Sequence, residues 1–185
     1  TVLGEMAARR GDFKLAEARF TNALKATPQD SYLLGAYADL LLDLRRFKEA
    51  RALLEPYRRI DSLLLRYAQA LKLGESDVAL LRTVTSDMDA RFDAARRRGD
   101  SVHLREEARY FLHISARPFD ALSVAERNWR VQKEPADARI LLEAAHAAGR
   151  PSAAKPVIDF IKANQLEDRA LSALIRRIDT KGSKS

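Results

Sequence analysis

The amino-acid sequence predicts an all-α protein, built as an α-solenoid of about five antiparallel helix pairs and closed by a capping helix. Three observations support this. Ala, Leu, Arg and Glu, which favour helices, dominate the composition, whereas Val, Ile and Thr are sparse. The seven Gly and six Pro are spaced along the chain and do not cluster, as expected of residues at helix ends and turns. A pattern of small and large apolar residues recurs about every 34 residues, which is typical of stacked helical repeats.

The first copy of this pattern is the clearest. Small or apolar residues stand where two helices of a hairpin would touch, a glycine stands at the turn, and a proline closes the unit. The positions are Leu3, Gly4, Ala7, Gly11, Ala16, Phe20, Ala23, Leu24 and Pro28. A looser copy follows at Ala38, Leu41, Arg45, Ala50, Leu54 and Tyr57, with Arg45 at the turn. Later copies include Ala121, Ala125 and Trp129, then Leu141, Leu142, Ala145, Gly149, Ala154, Ile158 and Ile161.

This pattern resembles the tetratricopeptide repeat family, most specifically in the first unit. The resemblance implies a right-handed α-solenoid in which the first helix of each pair lines a concave groove. We expect one domain over 1–179 and a flexible tail over 180–185. The predicted units are 1–29, 30–60, 61–99, 100–134 and 135–166, with a capping helix over 167–179.

Caps and helix breakers predict the boundaries of the helices. They are expected near 2–10, 12–27, 31–44, 46–58, 61–73, 76–98, 102–116, 118–133, 136–148, 151–164 and 167–178. The helix over 76–98 is longer than a standard second helix, so it should project or bend the superhelix. Met88, Phe92 and Ala95 recur in it at helical spacing and are expected to face the core, the alternative being an exposed binding ridge. Trp129 is likewise expected to pack between helices.

The C-terminal half also resembles a group of proteobacterial tetratricopeptide proteins whose function is not established. The similarity rests on the segments 97–100, 103–109, 128–132 and 134–139. Those proteins usually carry an export signal, which favours a periplasmic location, with the cytoplasm as the alternative. The first residues read as part of a helix, which suggests a piece of a longer chain.

In the tetratricopeptide family, the inward side chains of the first helices contact the ligand. The resemblance therefore nominates a set of partner-binding residues: Glu5, Arg9, Tyr32, Asp39, Asp43, His103, Glu106, Tyr110, His113, Arg139, Glu143 and His146. A groove of aromatic and charged side chains suits an extended or helical peptide, because the charges fix its register. The alternative is that these residues form an ordinary solvated surface.

Several functional classes lack support in the sequence. There is no Cys, which excludes disulfides and thiolate metal sites. No nucleophile elbow, phosphate-binding loop or zinc-protease motif occurs, so we expect neither an enzyme nor a cofactor. No apolar run approaches the roughly 20 residues that cross a bilayer, so no membrane insertion is expected. His103 and His113 are roughly 15 Å apart along a helix, so the three His cannot share one metal ion, and no metal site is predicted.

A protein or peptide partner is thus the main prediction, and two alternatives stay open. The net charge of +7 allows RNA binding through a basic surface. Against nucleic acid, the groove positions hold about as many acids as bases, and the run Arg96-Arg97-Arg98 stands at a predicted helix end, where cations complement the helix dipole. The other alternative is a purely structural cap of a longer solenoid.

Overall fold

A computed structural model describes residues 1–75, 77–99 and 104–182. Within these ranges the chain forms eleven α-helices, two short 3-10 helices and no strand. In chain order they are α1 (Val2–Arg10), α2 (Phe13–Ala26), α3 (Ser31–Asp43), α4 (Phe47–Leu54), η1 (Glu55–Tyr57), α5 (Asp61–Leu73), α6 (Val78–Arg97), α7 (Leu104–His113), α8 (Pro118–Val131), α9 (Pro135–Ala147), η2 (Pro151–Ala154), α10 (Lys155–Ala163) and α11 (Arg169–Gly182). The predicted class, an all-α helical repeat fold, is confirmed. The right-handed sense stays a prediction.

The helices follow the predicted order, with two corrections. The helix predicted over 46–58 is wrong in its last turn, because Pro56 has no amide hydrogen and the chain tightens into η1. The helix predicted over 151–164 is also divided: η2 comes first, and α10 begins at Lys155 with Pro156 in its first turn, where proline is tolerated. At the C-terminal end, α11 continues to Gly182, beyond the position expected for the start of the tail.

The internal contacts divide the chain into two compact units, residues 1–99 and 100–185. In the first unit α1 packs on α2, α3 on α4 and α5 on α6, and consecutive pairs meet through α2–α3 and α4–α5. In the second unit α8 packs against both α7 and α9, and α11 lies against α9. The single domain over 1–179 stays a prediction.

Small residues set the spacing of the helices in the first unit. A Cβ atom at Gly4 would lie 2.7 Å from a ring carbon of Phe20, so only glycine allows α1 to approach α2 this closely. Ala16 and Ala50 stand 34 residues apart in α2 and α4, and both are fully buried. The turns that follow α1 and α3 also match, because Gly11 and Arg45 both have a left-handed backbone, with φ of 86° and 58°. The repeat read from the sequence is therefore a repeat of packing.

The long helix α6 packs on α5. Met88 is buried, as predicted, whereas Phe92 and Ala95 are half-buried. Arg91 on α6 forms ion pairs with Asp61 and Asp87. In the second unit Trp129 is buried and meets the ring of Phe160 edge to face, with 5.3 Å between centroids, so its predicted packing role is confirmed.

Candidate functional site

Helix α3 presents one polar side to solvent and one apolar side to the core. Tyr32, Asp39 and Asp43 lie on the polar side, since spacings of seven and four residues return to the same face of a helix. Tyr32 is 61% exposed, Asp43 is exposed and Asp39 is half-buried. The opposite side carries the buried residues Leu33, Leu34, Tyr37, Leu40 and Leu41. The predicted residues of α3 therefore share an accessible face.

A hydrogen bond joins this face to α1. The hydroxyl of Tyr32 donates to Oε1 of Glu5 over 2.8 Å. Arg9, one turn further along α1, is half-buried, and its Nε lies 3.4 Å from the carbonyl oxygen of Glu5. The bond from Tyr32 holds an exposed aromatic ring in a defined position between α1 and α3.

A second link joins α3 to α5 through Arg66, which the sequence reasoning missed. Its guanidinium donates through Nε to Oδ1 of Asp39 over 3.0 Å and through Nη2 to Oδ2 over 2.7 Å. Nη1 donates to the carbonyl oxygen of Ser62 over 2.9 Å. The 34-residue period does not indicate this residue, because α5 begins 30 positions after α3 and Arg66 therefore corresponds to Ala36.

The two links are of the same kind, although Tyr32 is the second residue of α3 and Arg66 is the sixth residue of α5. Each joins residues 27 positions apart, from an acidic residue on one first helix to a side chain of the next first helix. The acidic members, Glu5 and Asp39, are 34 positions apart, as are Tyr32 and Arg66. We call the resulting surface the polar row: it consists of Glu5, Arg9, Tyr32, Asp39, Asp43 and Arg66.

A separate network ties α2, α3 and α4 together. Tyr37 donates to Oε1 of Glu17 over 2.9 Å, and Arg46 donates to Oε2 of Glu17 over 2.8 Å while also pairing with Glu49. The hydrogen bond from Arg46 lowers the pKa of Glu17. Burial and the hydrogen bond to Glu17 raise the pKa of Tyr37 to about 12, so the phenol stays protonated. This network fixes the position of α3, which carries three residues of the polar row.

In the second unit, the predicted residues of α7 and α9 meet at one cluster. Nε2 of His113 lies 3.1 Å from Oε2 of Glu143, and Nε of Arg139 donates to Oε1 over 2.8 Å. Burial alone raises the pKa of Glu143, but the hydrogen bond from His113 and the charge of Arg139 outweigh it and hold that pKa at about 2. Glu143 is therefore a carboxylate whose two oxygens are already occupied.

A neighbouring buried network holds the start of α9. Asp137 is 1% exposed and accepts from Nδ2 of Asn128 over 2.8 Å and from the backbone amide of Glu134 over 2.9 Å. Arg105 on α7 reaches Oδ1 of Asp137 over 3.3 Å and Glu134 over 2.8 Å. The predicted residue Glu106 is half-buried beside it, with 3.8 Å between Arg105 Nε and Glu106 Oε1.

One predicted residue of α7, Tyr110, lies in the core. Tyr110 is 1% exposed and packs in the core with its ring centroid 6.0 Å from that of Phe111, so placing it on the groove surface is corrected. His103 lies outside the described residues. His146 is half-buried one turn beyond Glu143. Among the side chains that the structure describes, no three His, Asp or Glu are grouped as metal ligands would be.

Comparison with known proteins supports the family assignment. A tetratricopeptide repeat family model matches residues 7–74, within the first unit. The recognition of tetratricopeptide repeats is therefore confirmed over this segment, and such repeats are generally protein–protein interaction modules without catalytic activity. No curated protein and no solved structure matched the chain. The resemblance of the C-terminal half to proteobacterial proteins is not confirmed.

Two features bear on the class of partner. Tetratricopeptide repeats suggest a protein partner. No helix in the described ranges combines the length and the apolar character needed to span a membrane.

Proposed function

We propose that the first unit binds a segment of a partner protein along the polar row. The observation that carries the proposal is Tyr32: a large aromatic side chain, 61% exposed, set among charged side chains. Aromatic residues dominate binding energy at many interfaces, and their contribution increases when the ring is already held in its bound position. The hydrogen bond to Glu5 supplies that pre-organisation.

The charges of the row fix the register of the bound segment. Asp39 and Arg66 neutralise each other through two hydrogen bonds, so together they present a flat polar pair and no net charge. Asp43 and Arg9 stand 34 positions apart with opposite signs, at corresponding places on α3 and α1. A peptide with charges of both signs on either side of an apolar residue would match this arrangement.

The cluster on α7 and α9 is a second candidate surface. Of its predicted residues Glu106, His113, Arg139, Glu143 and His146, none is fully exposed. The side chain of Glu143 is 18% exposed, so this cluster offers a ligand less accessible surface than Tyr32 and Asp43 do. We therefore place the primary contact in the first unit.

Selection of peptides from a displayed random library against the full chain tests the proposal. A selected peptide should bind Tyr32→Ala about ten-fold more weakly, since loss of an aromatic anchor costs at least about 1–2 kcal/mol. Tyr32→Phe keeps the ring and should retain most of the affinity. Arg19→Ala, at an exposed position of α2, is the matched control and should leave the affinity unchanged.

Two results would count against the polar row. In one, selected peptides bind the Tyr32→Ala and wild-type chains equally. In the other, the library yields no peptide, while a mixed-sequence oligoribonucleotide binds with an affinity that falls steeply with salt. The second result would place RNA ahead of a protein partner.

A further inference from the structure

Two second helices of the first unit, α2 and α4, carry an excess of positive charge. The segment 13–26, which forms α2, has three cationic side chains and one carboxylate. The segment 46–59, which contains α4 and η1, has five cationic side chains and two carboxylates. By contrast, the first helix α3 has two Asp and no cation. The charges of this unit are therefore sorted by helix, and the second helices form its basic side.

The carboxylates of these two segments are all paired with arginines, whereas three exposed lysines have no acidic partner. The ion pairs are Glu17 with Arg46 at 2.8 Å, Glu49 with Arg46 at 2.6 Å and Glu55 with Arg58 at 3.1 Å. Lys14, Lys25 and Lys48 are exposed, and within the described ranges no carboxylate forms an ion pair with any of them. Their charges are therefore available to a partner.

Lys14 and Lys48 stand at the same place on successive second helices. Each is the second residue of its helix, and each is followed four residues later by an exposed alanine, Ala18 or Ala52. The buried residues of the two helices match in the same way, Ala16 with Ala50 and Phe20 with Leu54. A cation in the first turn is unfavourable, because the N-terminal end of the helix dipole is positive. Helix stability therefore does not account for a lysine at both places.

Helices α2 and α4 are joined at both ends. Near their starts, Arg46 pairs with Glu17. Near their ends, the hydroxyl of Tyr57 in η1 donates to the carbonyl oxygen of Pro28, which follows α2, over 3.0 Å. The two helices therefore run side by side in the same direction.

The lysines lie at the two ends of one surface. Lys25 is eleven residues, close to three turns, after Lys14, so both lie on one side of α2, roughly 16 Å apart along its axis. Ala18 lies between them, and Ala52 holds the corresponding place on α4. We call Lys14, Ala18, Lys25, Lys48 and Ala52 the basic face.

Stacking of helix pairs does not cover this face. Helix α4 has a helix pair on either side of it in the first unit, α1 with α2 before it and α5 with α6 after it. Lys48 and Ala52 are nevertheless exposed. The accessibility of the face is thus a property of the second helices and does not depend on where the sequence begins.

We propose that the basic face is a docking surface for an acidic α-helix of a partner protein, which lies along the line between α2 and α4. Two carboxylates near one end of that helix would meet Lys14 and Lys48, and a carboxylate eleven residues away, on the same side of the helix, would meet Lys25. The small side chains of Ala18 and Ala52 allow the docked helix to approach closely between the lysines.

The orientation of the docked helix follows from the dipoles. Its C-terminal end, which is negative, lies over Lys14 and Lys48 at the positive starts of α2 and α4, so it runs antiparallel to them.

Other anionic partners fit this face less well. It contains no aromatic side chain on which a base of a single-stranded nucleic acid could stack. It also has no large apolar side chain that would enter a lipid surface. The polar row lies on the first helices α1, α3 and α5, so the two proposed surfaces are separate.

The probes for the test are two fluorescent Ala- and Gln-rich peptides of the same composition, each helical by circular dichroism. In the facial peptide one Glu near the start is followed eleven and fifteen residues later by two more, so that all three lie on one side. In the scattered peptide the three Glu point around the helix. Each is titrated with the full chain and followed by anisotropy. The facial peptide should bind about five-fold more tightly, with the difference shrinking in high salt.

Variants of the chain assign the binding to the basic face. Lys14→Gln with Lys48→Gln should weaken binding of the facial peptide about five-fold or more. Arg127→Gln with Arg130→Gln removes two exposed cations from α8 and is the matched control, which should bind as wild type does. Circular dichroism checks that each variant is folded.

A charge reversal gives the sharpest version of the test. Lys14→Glu with Lys48→Glu should reject the facial peptide. The same variant should bind a peptide that keeps the first Glu and has Lys in place of the last two, because the charges are again complementary.

Five outcomes would overturn the proposal. The facial peptide does not bind at about millimolar concentration. The facial and scattered peptides bind equally. The double Gln variant binds as wild type does. The charge-reversed chain fails to bind the Lys-containing peptide. A mixed-sequence RNA duplex binds more tightly than the facial peptide and loses affinity in the double Gln variant, which would assign the face to nucleic acid.

The polar row can be tested apart from the basic face. Tyr32→Ala should leave the affinity for the facial peptide unchanged, so failure of one proposal is distinguishable from failure of the other. A loss of affinity in this variant would place the peptide on the polar row and would contradict docking on the basic face.

Discussion

The two units of this chain are both built from helix pairs, but they use their polar side chains differently. In the first unit, the links between first helices stay at the surface: Tyr32 is 61% exposed, and the side chain of Asp39 is 31% exposed. In the second unit, the side chain of Asp137 is fully buried among Asn128, Arg105 and a backbone amide. The links between first helices in the first unit therefore stay accessible to a partner, whereas the Asp137 network lies inside the packing of the second unit.

This difference between the units shows how helix contacts can be built either from small apolar residues or from paired polar residues. In the first unit small residues such as Gly4 and Ala16 allow close apolar contact, and the family model matches there. In the second unit each buried polar group must be satisfied by a neighbour, because an unpaired one costs about 1–3 kcal/mol. Surface links contribute much less, since water competes for them.

The largest expected effect on the free energy of unfolding comes from replacing Asp137, and replacing Asp39 should have a much smaller one. Asp137→Ala should lower the free energy of unfolding by about 3–5 kcal/mol, because Arg105 and Asn128 lose a buried partner. Asp39→Ala should lower it by about 1 kcal/mol or less. Urea unfolding followed by circular dichroism measures both, and fluorescence of Trp129, the single tryptophan, reports on the second unit. Equal losses would remove the distinction between the units.

The next effect concerns acid stability in the second unit. The pKa of Glu143 is about 2 in the folded chain, below its ordinary value of 4.5. A lowered folded pKa stabilises the protein fully above pH 4.5, and this contribution is lost as pH falls towards 2. Glu143→Gln should therefore cost about 2–3 kcal/mol at pH 6 and almost nothing near pH 2.

Thermal unfolding of wild type and Glu143→Gln between pH 6 and pH 2.5 checks this expectation. Glu126→Gln, at an exposed position of α8, is the control and should change stability little at any of these pH values. If Glu143→Gln lowers the stability by the same amount at pH 2.5 as at pH 6, the ionised carboxylate of Glu143 is not the source of that stability.

A smaller effect on stability is expected at the close contact between α1 and α2 in the first unit. Gly4→Ala should lower the free energy of unfolding by about 2 kcal/mol, because the new Cβ meets the ring of Phe20 at 2.7 Å. Gly35→Ala is the matched control, since its Cβ would lie at an ordinary 3.5 Å from Arg66. There, alanine should be neutral or stabilising by up to about 1 kcal/mol, owing to its helix propensity. Equal behaviour of the two variants would contradict the close α1–α2 contact.

The smallest effects on stability are expected at two corresponding turns, the one after α1 and the one after α7. Gly11 follows α1 with φ of 86°, whereas Ala116 follows α7 with φ of 53°, a left-handed conformation that alanine tolerates poorly. Ala116→Gly should raise the free energy of unfolding by about 1 kcal/mol, and Gly11→Ala should lower it by about the same amount. Thermal melts of both variants test the pair, and effects of the same sign would refute the correspondence.

Much of the first unit could be predicted because its signals are local and periodic. The small residues, the turn at Gly11 and the copy 34 positions later all follow from the order of residues alone. The residues of the exposed stripe of α3 were nominated by the resemblance to the tetratricopeptide family. Arg66 was missed because α5 follows α3 after 30 positions, so the 34-residue period does not apply to the third pair.

The sequence-based prediction was wrong for Tyr110. Helical spacing placed it on the same side of α7 as Glu106 and His113, but spacing leaves open how wide the buried side of a helix is. In the structure α7 is packed by both α8 and α9, and the buried side extends far enough to include Tyr110. An aromatic residue at the edge of a polar stripe turns inward when a neighbouring helix offers it a contact.

By itself, the sequence determined that this chain is all-α, that its helices come in pairs, and that residues near its start follow the tetratricopeptide repeat. Those properties depend on helix propensity, caps and a regular spacing of apolar residues, all of which act over a few turns of chain. Only the tertiary structure decided which polar residues stay at the surface and which, like Asp137, become part of the packing. That choice depends on what lies opposite each side chain, and residues as far apart as Arg105 and Asp137 meet only once the helices are packed.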